Sequence, residues 1–232
     1  MARPPNSVDF FRVWSPAMAY VLGYWYADGY MYIKPNTGAH QVEFASIDRG
    51  HLEAIARLIG GKTYLRKVVA DANCYELTYC SKEMYHDLLA HGGTPHKSRI
   101  IRLPSIPAEL LPHFVRGFAD GDGTLSWNEG KPIFQIYSAS QDFLLDLGSA
   151  IEQATGIPAP NIIANRLLWT IKWSTIRAKC LAAWLYIDNP GLAMGDKLAV
   201  AARFLEWCPK KTPQRGTITD EMRLRFSEYL PL

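Results

Sequence analysis

The sequence predicts an α+β protein that contains two copies of one α-β-β-α-β-β-α unit, related by a pseudo-twofold duplication. Two observations lead to this prediction. A segment with conserved spacing of glycine and aspartate occurs twice, and the same order of helical and alternating patterns follows it each time. The chain has 232 residues, of which 48% are hydrophobic and 20% are charged. This composition is typical of globular proteins and excludes a disordered or fibrous chain.

The repeated segment reads AYVLGYWYADGY in the first half of the chain and HFVRGFADGDGT in the second. Gly23 aligns with Gly117 and Asp28 with Asp122, both at a separation of 94 residues. Further along, matched serines and leucines keep separations of 92 or 93 residues. Two unrelated amphipathic segments would not keep both the order and the spacing, so the halves are predicted to be duplicates.

Capping serines, apolar periodicity and turn residues predict the elements of each half. In the first half these are the helices Pro16–Asp28, Asp48–Ile59 and Ser81–Ala90 and the strands Tyr30–Lys34, Gln41–Ile47, Thr63–Val69 and Cys74–Tyr79. In the second they are the helices Pro112–Asp122, Ser140–Ala154 and Thr175–Tyr186 and the strands Thr124–Trp127, Pro132–Tyr137, Asn161–Ala164 and Leu167–Trp173. Two more helices are predicted at Met194–Trp207 and Thr219–Tyr229. The predicted domains are residues 1–95 and 112–232, joined by a proline-rich linker over 96–111.

Small residues form a stripe on each repeated helix. Gly23 and Ala27 are four residues apart, as are Gly117 and Gly121, so each pair lies on one helix face. Because small residues allow helix backbones to approach closely, we expect the two stripes to pack against each other around a pseudo-twofold axis.

An aspartate ends each repeated helix. Asp28 and Asp122 are followed by Gly29 and Gly123, which we interpret as helix-ending glycines. A carboxylate at a helix C-terminus is unfavourable by roughly 0.3–1 kcal/mol, and two carboxylates close together repel. A single Asp-Gly sequence at a helix end is best explained as a plain helix stop. Two copies at matched positions of a repeat favour a cation site. Ligation by oxygen alone favours a hard ion such as Mg²⁺.

These motifs resemble those of the LAGLIDADG homing endonucleases in their single-chain, two-motif form. The first motif reads VLGYWYADG and the second VRGFADGDG, and the stretch HKSRIIRLP before the second motif is also similar to the family. The second motif is the closer match. In the first, Tyr26 replaces an earlier acid, and Tyr24 and Trp25 replace aliphatic residues. The likeness extends over Pro16–Arg203.

The resemblance implies two four-stranded antiparallel sheets that form a saddle over DNA, with the motif helices between them. It implies cleavage of both strands of a long recognition site, leaving 3′ overhangs. Asp28 and Asp122 would be the metal-binding acids, one per active site, with Gly29 and Gly123 beside them. Mg²⁺ is the expected cofactor; Mn²⁺ would substitute, and Ca²⁺ would support binding without efficient cleavage. The expected partner is double-stranded DNA, bound by a monomer.

The resemblance also implies roles for other side chains. Lys97 and Lys197 match the family's active-site lysines, for which the alternative is a solvated surface charge. Asp48, and less clearly Ser140 or Gln141, lie where the family places a polar residue near metal-bound water. Helix N-capping explains Asp48 and Ser140 at least as well.

Polar residues of the predicted strands are candidates for base contacts in the major groove. In the second strand, Val42 and Phe44 are expected to face the helices, and Gln41 and Glu43 the DNA. The DNA-contacting candidates are Lys34, Asn36, His40, Gln41, Glu43, Arg66, Lys67, Glu76, Thr78, Ser126, Asn128, Lys131, Gln135, Asn165, Arg166, Trp169 and Lys172. The candidates for phosphate contacts are Lys210, Lys211 and Arg215.

A net charge of +3 permits a nucleic-acid partner but does not require one. No signal-peptide pattern begins the sequence, and its long apolar stretch near the start is shorter than the roughly 20 residues that a membrane span needs. We therefore expect an intracellular protein, in a prokaryotic cytoplasm or an organelle, that makes no membrane contact. The competing hypothesis is a relative that binds nucleic acid without cutting it, such as an RNA maturase that assists intron splicing or a transcription regulator. A third is a structural duplication in which Asp28 and Asp122 only end helices.

Overall fold

The computed structural model describes residues 9–68, 73–209 and 216–230. Its chain divides into two compact units. Unit 1 contains the residues up to Lys97 together with Pro104–Gly121, and unit 2 contains Ser98–Leu103 together with the residues from Asp122 onward. Lys210, Lys211 and Arg215 lie outside the described residues, as do Val69 and the turn residues 70–72.

Unit 1 begins with the helix-strand order that the sequence predicts. Its elements are α1 (Pro16–Asp28), β1 (Gly29–Ile33), β2 (His40–Ser46), α2 (Arg49–Ile59), β3 (Tyr64–Lys67), β4 (Tyr75–Cys80) and α3 (Lys82–Ala90). Ser15, Asp48 and Ser81 cap the three helices, each through a side-chain oxygen that accepts from the backbone N–H three residues later. These local hydrogen bonds explain why the helix starts were predictable to within a residue.

The strands of unit 1 form sheet 1, which is antiparallel throughout with the order β1-β2-β4-β3. Val42 and Phe44 of β2 are fully buried on the face that packs against the helices, together with Leu77 of β4. The alternation along β2 confirms the predicted division of its residues between two faces.

Helix α4 (Leu111–Asp122) packs on α1 through the predicted glycines. A Cβ on Gly23 would overlap the carbonyl oxygen of Phe114, and a Cβ on Gly117 would overlap that of Tyr20. The two contacts are reciprocal, because Phe114 follows Tyr20 by the same 94 residues that separate the glycines. The predicted contact between the small-residue stripes is therefore present. It also explains why α4 as far as Gly121 clusters with unit 1, whereas the sequence-based boundary put this helix in the second domain.

Unit 2 repeats the sheet of unit 1. Its elements are β5 (Gly123–Asn128), β6 (Lys131–Ser138), α5 (Gln141–Thr155), β7 (Ile163–Asn165), β8 (Leu168–Ser174), α6 (Thr175–Ala182), α7 (Gly195–Glu206) and α8 (Asp220–Arg225). The strands form sheet 2, antiparallel with the order β5-β6-β8-β7, which matches sheet 1. The predicted α+β duplication is confirmed.

Two helices of unit 2 differ from expectation. The helix predicted at Thr175–Tyr186 becomes a π-helix over Ala183–Ile187, where the side chain of Asn189 donates to the Trp184 carbonyl oxygen at 2.8 Å. The last predicted helix shortens to α8. The hydrogen bond at the π-helix is local, five residues apart, but apolar periodicity carries no signal for it.

The segment Ser98–Leu103 contributes to unit 2. Arg102 forms salt bridges with Asp142 and Asp146 of α5, each at 2.8 Å, and the Ser140 hydroxyl donates to the Ile101 carbonyl oxygen at 2.8 Å. The predicted linker is thus partly a structural element of unit 2. Among the described residues, no helix has the length and apolar character needed to cross a membrane.

The glycine contact gives a stability prediction. We expect Gly117→Ala to lower the free energy of unfolding by roughly 1–3 kcal/mol or more, because the added methyl group overlaps backbone rather than a movable side chain. Gly195→Ala is the control: nothing lies within 4 Å of its added Cβ, and alanine favours the start of α7. Urea unfolding of both variants makes the comparison, and equal stabilities would contradict the close contact.

Candidate functional site

The end of α1 passes directly into a strand. Asp28 is the last helical residue, and Gly29 is already extended, with φ −96° and ψ 155°. Gly29 is thus the C-cap of α1, in agreement with its interpretation as a helix-ending glycine, and its backbone is extended rather than left-handed. A side chain is excluded at this position because a Cβ there would overlap the ring of Trp25. In the second copy, Asp122 ends α4 and Gly123 likewise begins a strand.

The carboxylate of Asp28 lies against α4. A Cβ on Gly121 would overlap the Cβ of Ala27 and lie 2.9 Å from Oδ2 of Asp28. Asp28 is half-buried. Burial raises the pKa of Tyr24, and the negative charge of Asp28 raises it further. The lack of a side chain at Gly121 thus leaves room for Oδ2 of Asp28 at the end of α1.

The acids available for a metal are few. Within the described ranges, no group of three or more His, Cys, Asp or Glu side chains is placed to hold an ion. The candidate ligands, Asp28 at the end of α1 and Asp122 at the end of α4, are both carboxylates. Carboxylate oxygens are hard donors of the kind that Mg²⁺ takes, one or two from a protein with its other ligands from water and phosphate, so the chemistry of each acid fits the expected cofactor.

Lys97 lies against the last turn of α1. Its side chain is 95% buried, and Nζ is 5.1 Å from the ring centre of Trp25, three residues before Asp28. His96 precedes it with φ 57°, a left-handed conformation that is uncommon outside glycine. Lys197 is half-buried in the first turn of α7, where its backbone N–H donates to Oδ1 of Asp196 at 2.8 Å.

Two of the three polar candidates cap helices. Oδ1 of Asp48 accepts from the backbone N–H of His51 at 3.0 Å. The Ser140 oxygen accepts from the backbone N–H of Phe143 at 3.2 Å, while its hydroxyl donates to the linker. Gln141 is exposed at the start of α5. The capping role, which the sequence left open, is thus present at Asp48 and Ser140.

Sheet 1 has an open face, the face opposite Val42 and Phe44. Strand register places these residues on it: Tyr30, Tyr32, Gln41, Glu43, Ala45, Tyr64, Arg66, Glu76, Thr78 and Cys80. Its charges are two glutamates and one arginine. Arg66 donates to Oε2 of Glu76 at 2.6 and 2.8 Å. The pKa of Glu43 is raised by burial and then by the nearby charge of Glu76.

The open face of sheet 2 is the one opposite Phe134 and Ile136, and it differs in charge. It carries Thr124, Ser126, Asn128, Lys131, Ile133, Gln135, Tyr137, Ile163, Asn165, Leu168, Thr170, Lys172 and Ser174. Among these strand residues the charges are two lysines and no acid. Lys34 and Asn36 of the β1–β2 turn are exposed beyond sheet 1, and Arg166 lies in the β7–β8 turn with φ 56°.

Three predicted DNA contacts have side chains on the wrong face. His40 pairs with Ile33, shares the face of Val42, and packs its ring on Tyr85 of α3 at 4.9 Å. Trp169 pairs with Ser138, on the helix-facing side of sheet 2. Lys67 follows Arg66 and has the opposite orientation, at the edge of sheet 1. The errors arose because polar residues were taken from consecutive positions, such as His40 and Gln41 or Arg66 and Lys67, whereas consecutive side chains of a strand point to opposite faces.

The sequence analysis missed the tyrosines of β1. Tyr30 and Tyr32 stack on the open face of sheet 1, with ring centres 5.4 Å apart and 29° between the planes. The Tyr32 hydroxyl donates to Glu43 at 3.2 Å. The alternation of Tyr30 and Tyr32 around the buried Met31 was the available signal.

Comparison with known proteins agrees with this architecture. Residues 15–92 match the family model described as a LAGLIDADG-like domain. This match lies within unit 1 and covers about a third of the chain. The predicted resemblance to that family is confirmed over this part of the chain.

Solved structures extend the likeness beyond residues 15–92. The crystal structure of I-DmoI in complex with DNA and Mn matches with a TM-score of 0.53 and 15% identity, covering 78% of this chain and 98% of that one. The homing endonuclease I-WcaI bound to its DNA recognition sequence matches with a TM-score of 0.56 and 14% identity, covering 82% of this chain and 90% of that one. Full-length DUF199/WhiA from Thermatoga maritima matches with a TM-score of 0.54 and 15% identity, covering 96% of this chain and 70% of that one. Identities this low establish the fold alone. No curated protein matches the chain.

A buried polar network borders helix α1, and the sequence analysis missed it. The Tyr20 hydroxyl donates to Oδ2 of Asp120 at 2.6 Å and lies 3.1 Å from Nε2 of His51. Asp120 is 98% buried. Its place two residues before Asp122 was visible in the motif, but its partners come from α1 and α2 and could not be read from local spacing.

A second buried pair lies at the start of α4. Nη2 of Arg116 is 2.9 Å from Nδ1 of His113. Because a guanidinium only donates, Nδ1 accepts, and the His113 proton is on Nε2. Burial, and then the positive charge of Arg116, lower the pKa of His113 from 6.5 to about 4.

This pair predicts acid sensitivity. Between about pH 6.5 and pH 4 the unfolded chain binds a proton at His113 that the folded chain does not, so the free energy of unfolding falls as the pH falls. The loss is at most about 3 kcal/mol. In His113→Gln, whose amide oxygen still accepts from Arg116, we expect a weaker pH dependence in urea unfolding. The same pH dependence in both proteins would contradict the assignment.

Proposed function

We propose that the protein is a site-specific double-strand DNA endonuclease of the homing type, which hydrolyses phosphodiester bonds and leaves 3′ overhangs. The observation that supports this proposal most strongly is the retention of an acid at the same place on two helices that meet through reciprocal glycine contacts. Asp28 and Asp122 end α1 and α4, and Gly121 leaves room for the Asp28 carboxylate.

Each acid has a proposed role as ligand to a divalent ion. When bound, the ion supplies an activated water and neutralises charge on the scissile phosphate. Asp28 is the proposed carboxylate ligand of one active site and Asp122 that of the other, each followed by a glycine, Gly29 or Gly123, that carries no side chain. Lys97 and Lys197 are the proposed cations that stabilise negative charge developing on the phosphate.

The open faces of the two sheets are the proposed DNA-reading surfaces. On sheet 2, Lys131 and Lys172 favour approach to the DNA backbone, and Gln135 presents an amide to base edges. On sheet 1, Glu43 and Glu76 can accept from the N4 amino group of cytosine, and Arg66 can donate to guanine. Sheet 2 would then contribute more of the affinity, and sheet 1 more of the discrimination between bases.

A second candidate is a relative that binds RNA without cutting DNA. The stacked Tyr30 and Tyr32 on an open four-stranded sheet favour it, because aromatic rings on such a face stack with unpaired bases. Competition between a duplex DNA library and single-stranded RNA for the protein distinguishes the two. Preferential RNA binding, with no cutting of DNA, would support this candidate.

Removal of either acid tests the nuclease proposal. With Mg²⁺ and a randomised duplex library from which cut molecules are selected, we expect the wild-type protein to cut a defined sequence. Asp28→Asn and Asp122→Asn should lower double-strand cleavage by roughly 100-fold or more, leaving at most nicking. Retained double-strand cleavage by either variant would refute the assignment. The same assay with Ca²⁺ should give binding without efficient cutting.

Thermal melting without metal separates a ligand from a structural acid. Because a carboxylate opposes the helix dipole at a C-terminus, both Asn variants should melt at the wild-type temperature or higher. Asp220→Asn, in the first turn of α8, is the control and should melt slightly lower, since an acid there is favourable. A clear decrease for Asp28→Asn or Asp122→Asn would mean that the acid is structural.

Lys172 tests the role of sheet 2. If Lys172 contacts a phosphate, Lys172→Ala should weaken duplex binding and reduce the slope of log K against log salt by about 1. Lys82→Ala, at the exposed start of α3, should change neither quantity. Fluorescence anisotropy over a salt series measures both, and equal slopes for the two variants would exclude Lys172 from the interface.

A further inference from the structure

The network of Tyr20, His51 and Asp120 joins three helices at one buried point. Tyr20 is on α1, His51 is in the first turn of α2, and Asp120 is in the last turn of α4. The Tyr20 hydroxyl donates to Asp120, so its oxygen accepts from Nε2–H of His51. His51 is itself fixed, because its backbone N–H donates to the capping residue Asp48.

The duplication supplies an internal comparison for this network. At the separation of 94 residues, Phe114 corresponds to Tyr20, and Tyr26 to Asp120. The corresponding contact is between two aromatic rings, those of Tyr26 and Phe114, whose centres are 5.3 Å apart at 71°. The Tyr26 hydroxyl donates instead to the carbonyl oxygen of His91. Both pairs occupy the contact between α1 and α4, and one of them packs there without a carboxylate.

A buried acid is therefore not needed to pack this contact. Burial of a carboxylate is unfavourable unless strong hydrogen bonds offset it. The charge-assisted bond from Tyr20, at 2.6 Å, is of that kind. It holds the last turn of α4, in which Asp122 follows Asp120 by two residues. At the end of α1, the residue two positions before Asp28 is Tyr26, whose side chain carries a hydroxyl in place of the carboxylate of Asp120.

We propose that Asp120 is a positioning residue, which fixes the last turn of α4, and with it Asp122, through Tyr20 and His51. Asp122 is then held through this polar network, whereas the position of the first motif that corresponds to Asp120 is the tyrosine Tyr26. This inference rests on the proposed nuclease function for its catalytic consequence. Its structural consequence, a restrained helix end, does not depend on that function.

The test compares two single-hydroxyl deletions in the full-length protein. Tyr20→Phe removes the hydroxyl that links Asp120 to His51 but keeps the ring that packs under Arg116, whose guanidinium carbon is 5.4 Å from the ring centre. Tyr26→Phe is the matched control, since it removes a hydroxyl from the corresponding position of the first motif. His51→Phe removes the other end of the network and should act in the same direction as Tyr20→Phe.

Amide hydrogen exchange, without metal or DNA, gives a readout that does not depend on activity. We expect exchange in residues 119–123 to be roughly tenfold faster in Tyr20→Phe, because the end of α4 loses its buried hydrogen bond. Tyr26→Phe should exchange in this segment at the wild-type rate. Equal rates in the two variants would overturn the proposal, whether or not the protein cuts DNA.

Strand-resolved cleavage under single-turnover conditions gives the catalytic readout. Each acid serves one active site under the proposed function, so Tyr20→Phe should change the ratio of the two strand-cleavage rates by roughly tenfold and accumulate nicked DNA. The DNA dissociation constant should stay at its wild-type value, and Tyr26→Phe should leave the ratio unchanged. Faster exchange with an unaltered strand ratio would show a structural role only and overturn the positioning role. If the wild-type protein cuts neither strand, the nuclease proposal fails, and hydrogen exchange alone decides whether the network holds the helix end.

Discussion

The close approach of α1 and α4 is the constraint on which the rest of the proposed site depends. Gly23 and Gly117 each lie against a backbone carbonyl group of the opposite helix, so neither position has space for a side chain. Gly121 extends the same contact to Asp28. Because close packing transmits small displacements, the acids at the helix ends are located by glycines one or two turns earlier. Any chemistry at Asp28 and Asp122 therefore begins with this backbone contact.

The duplicated elements share a geometry but differ in chemistry. The reciprocal glycines are symmetric, whereas Tyr20 and Asp120 form a hydrogen bond where Phe114 and Tyr26 pack ring against ring. The sheets differ likewise, with two glutamates and an arginine on the open face of sheet 1 and two lysines on that of sheet 2. A protein with two unlike halves is suited to an asymmetric partner. Under the proposed function, that partner is a long duplex sequence whose two half-sites differ.

Much of the fold could be predicted from the sequence because its signals are local. Ser15 and Ser81 begin helices where predicted, since a capping hydrogen bond spans only three residues. The stripe contact was predictable because duplication supplied its partner. Two features carried no signal in apolar periodicity, namely the π-helix at Ala183–Ile187 and the packing of the Trp25 ring that requires glycine at position 29. The network of Tyr20, His51 and Asp120 could not be predicted because it joins three helices that are far apart in sequence.

The most direct test of the central claim is a crystal structure of the protein with its selected duplex and Mn²⁺, in which anomalous scattering locates the ions. The account predicts anomalous peaks in contact with a carboxylate oxygen of Asp28 and with one of Asp122, each beside a backbone phosphate of the DNA. Peaks bound only by other side chains, with both carboxylates hydrogen-bonded to protein groups instead, would contradict it.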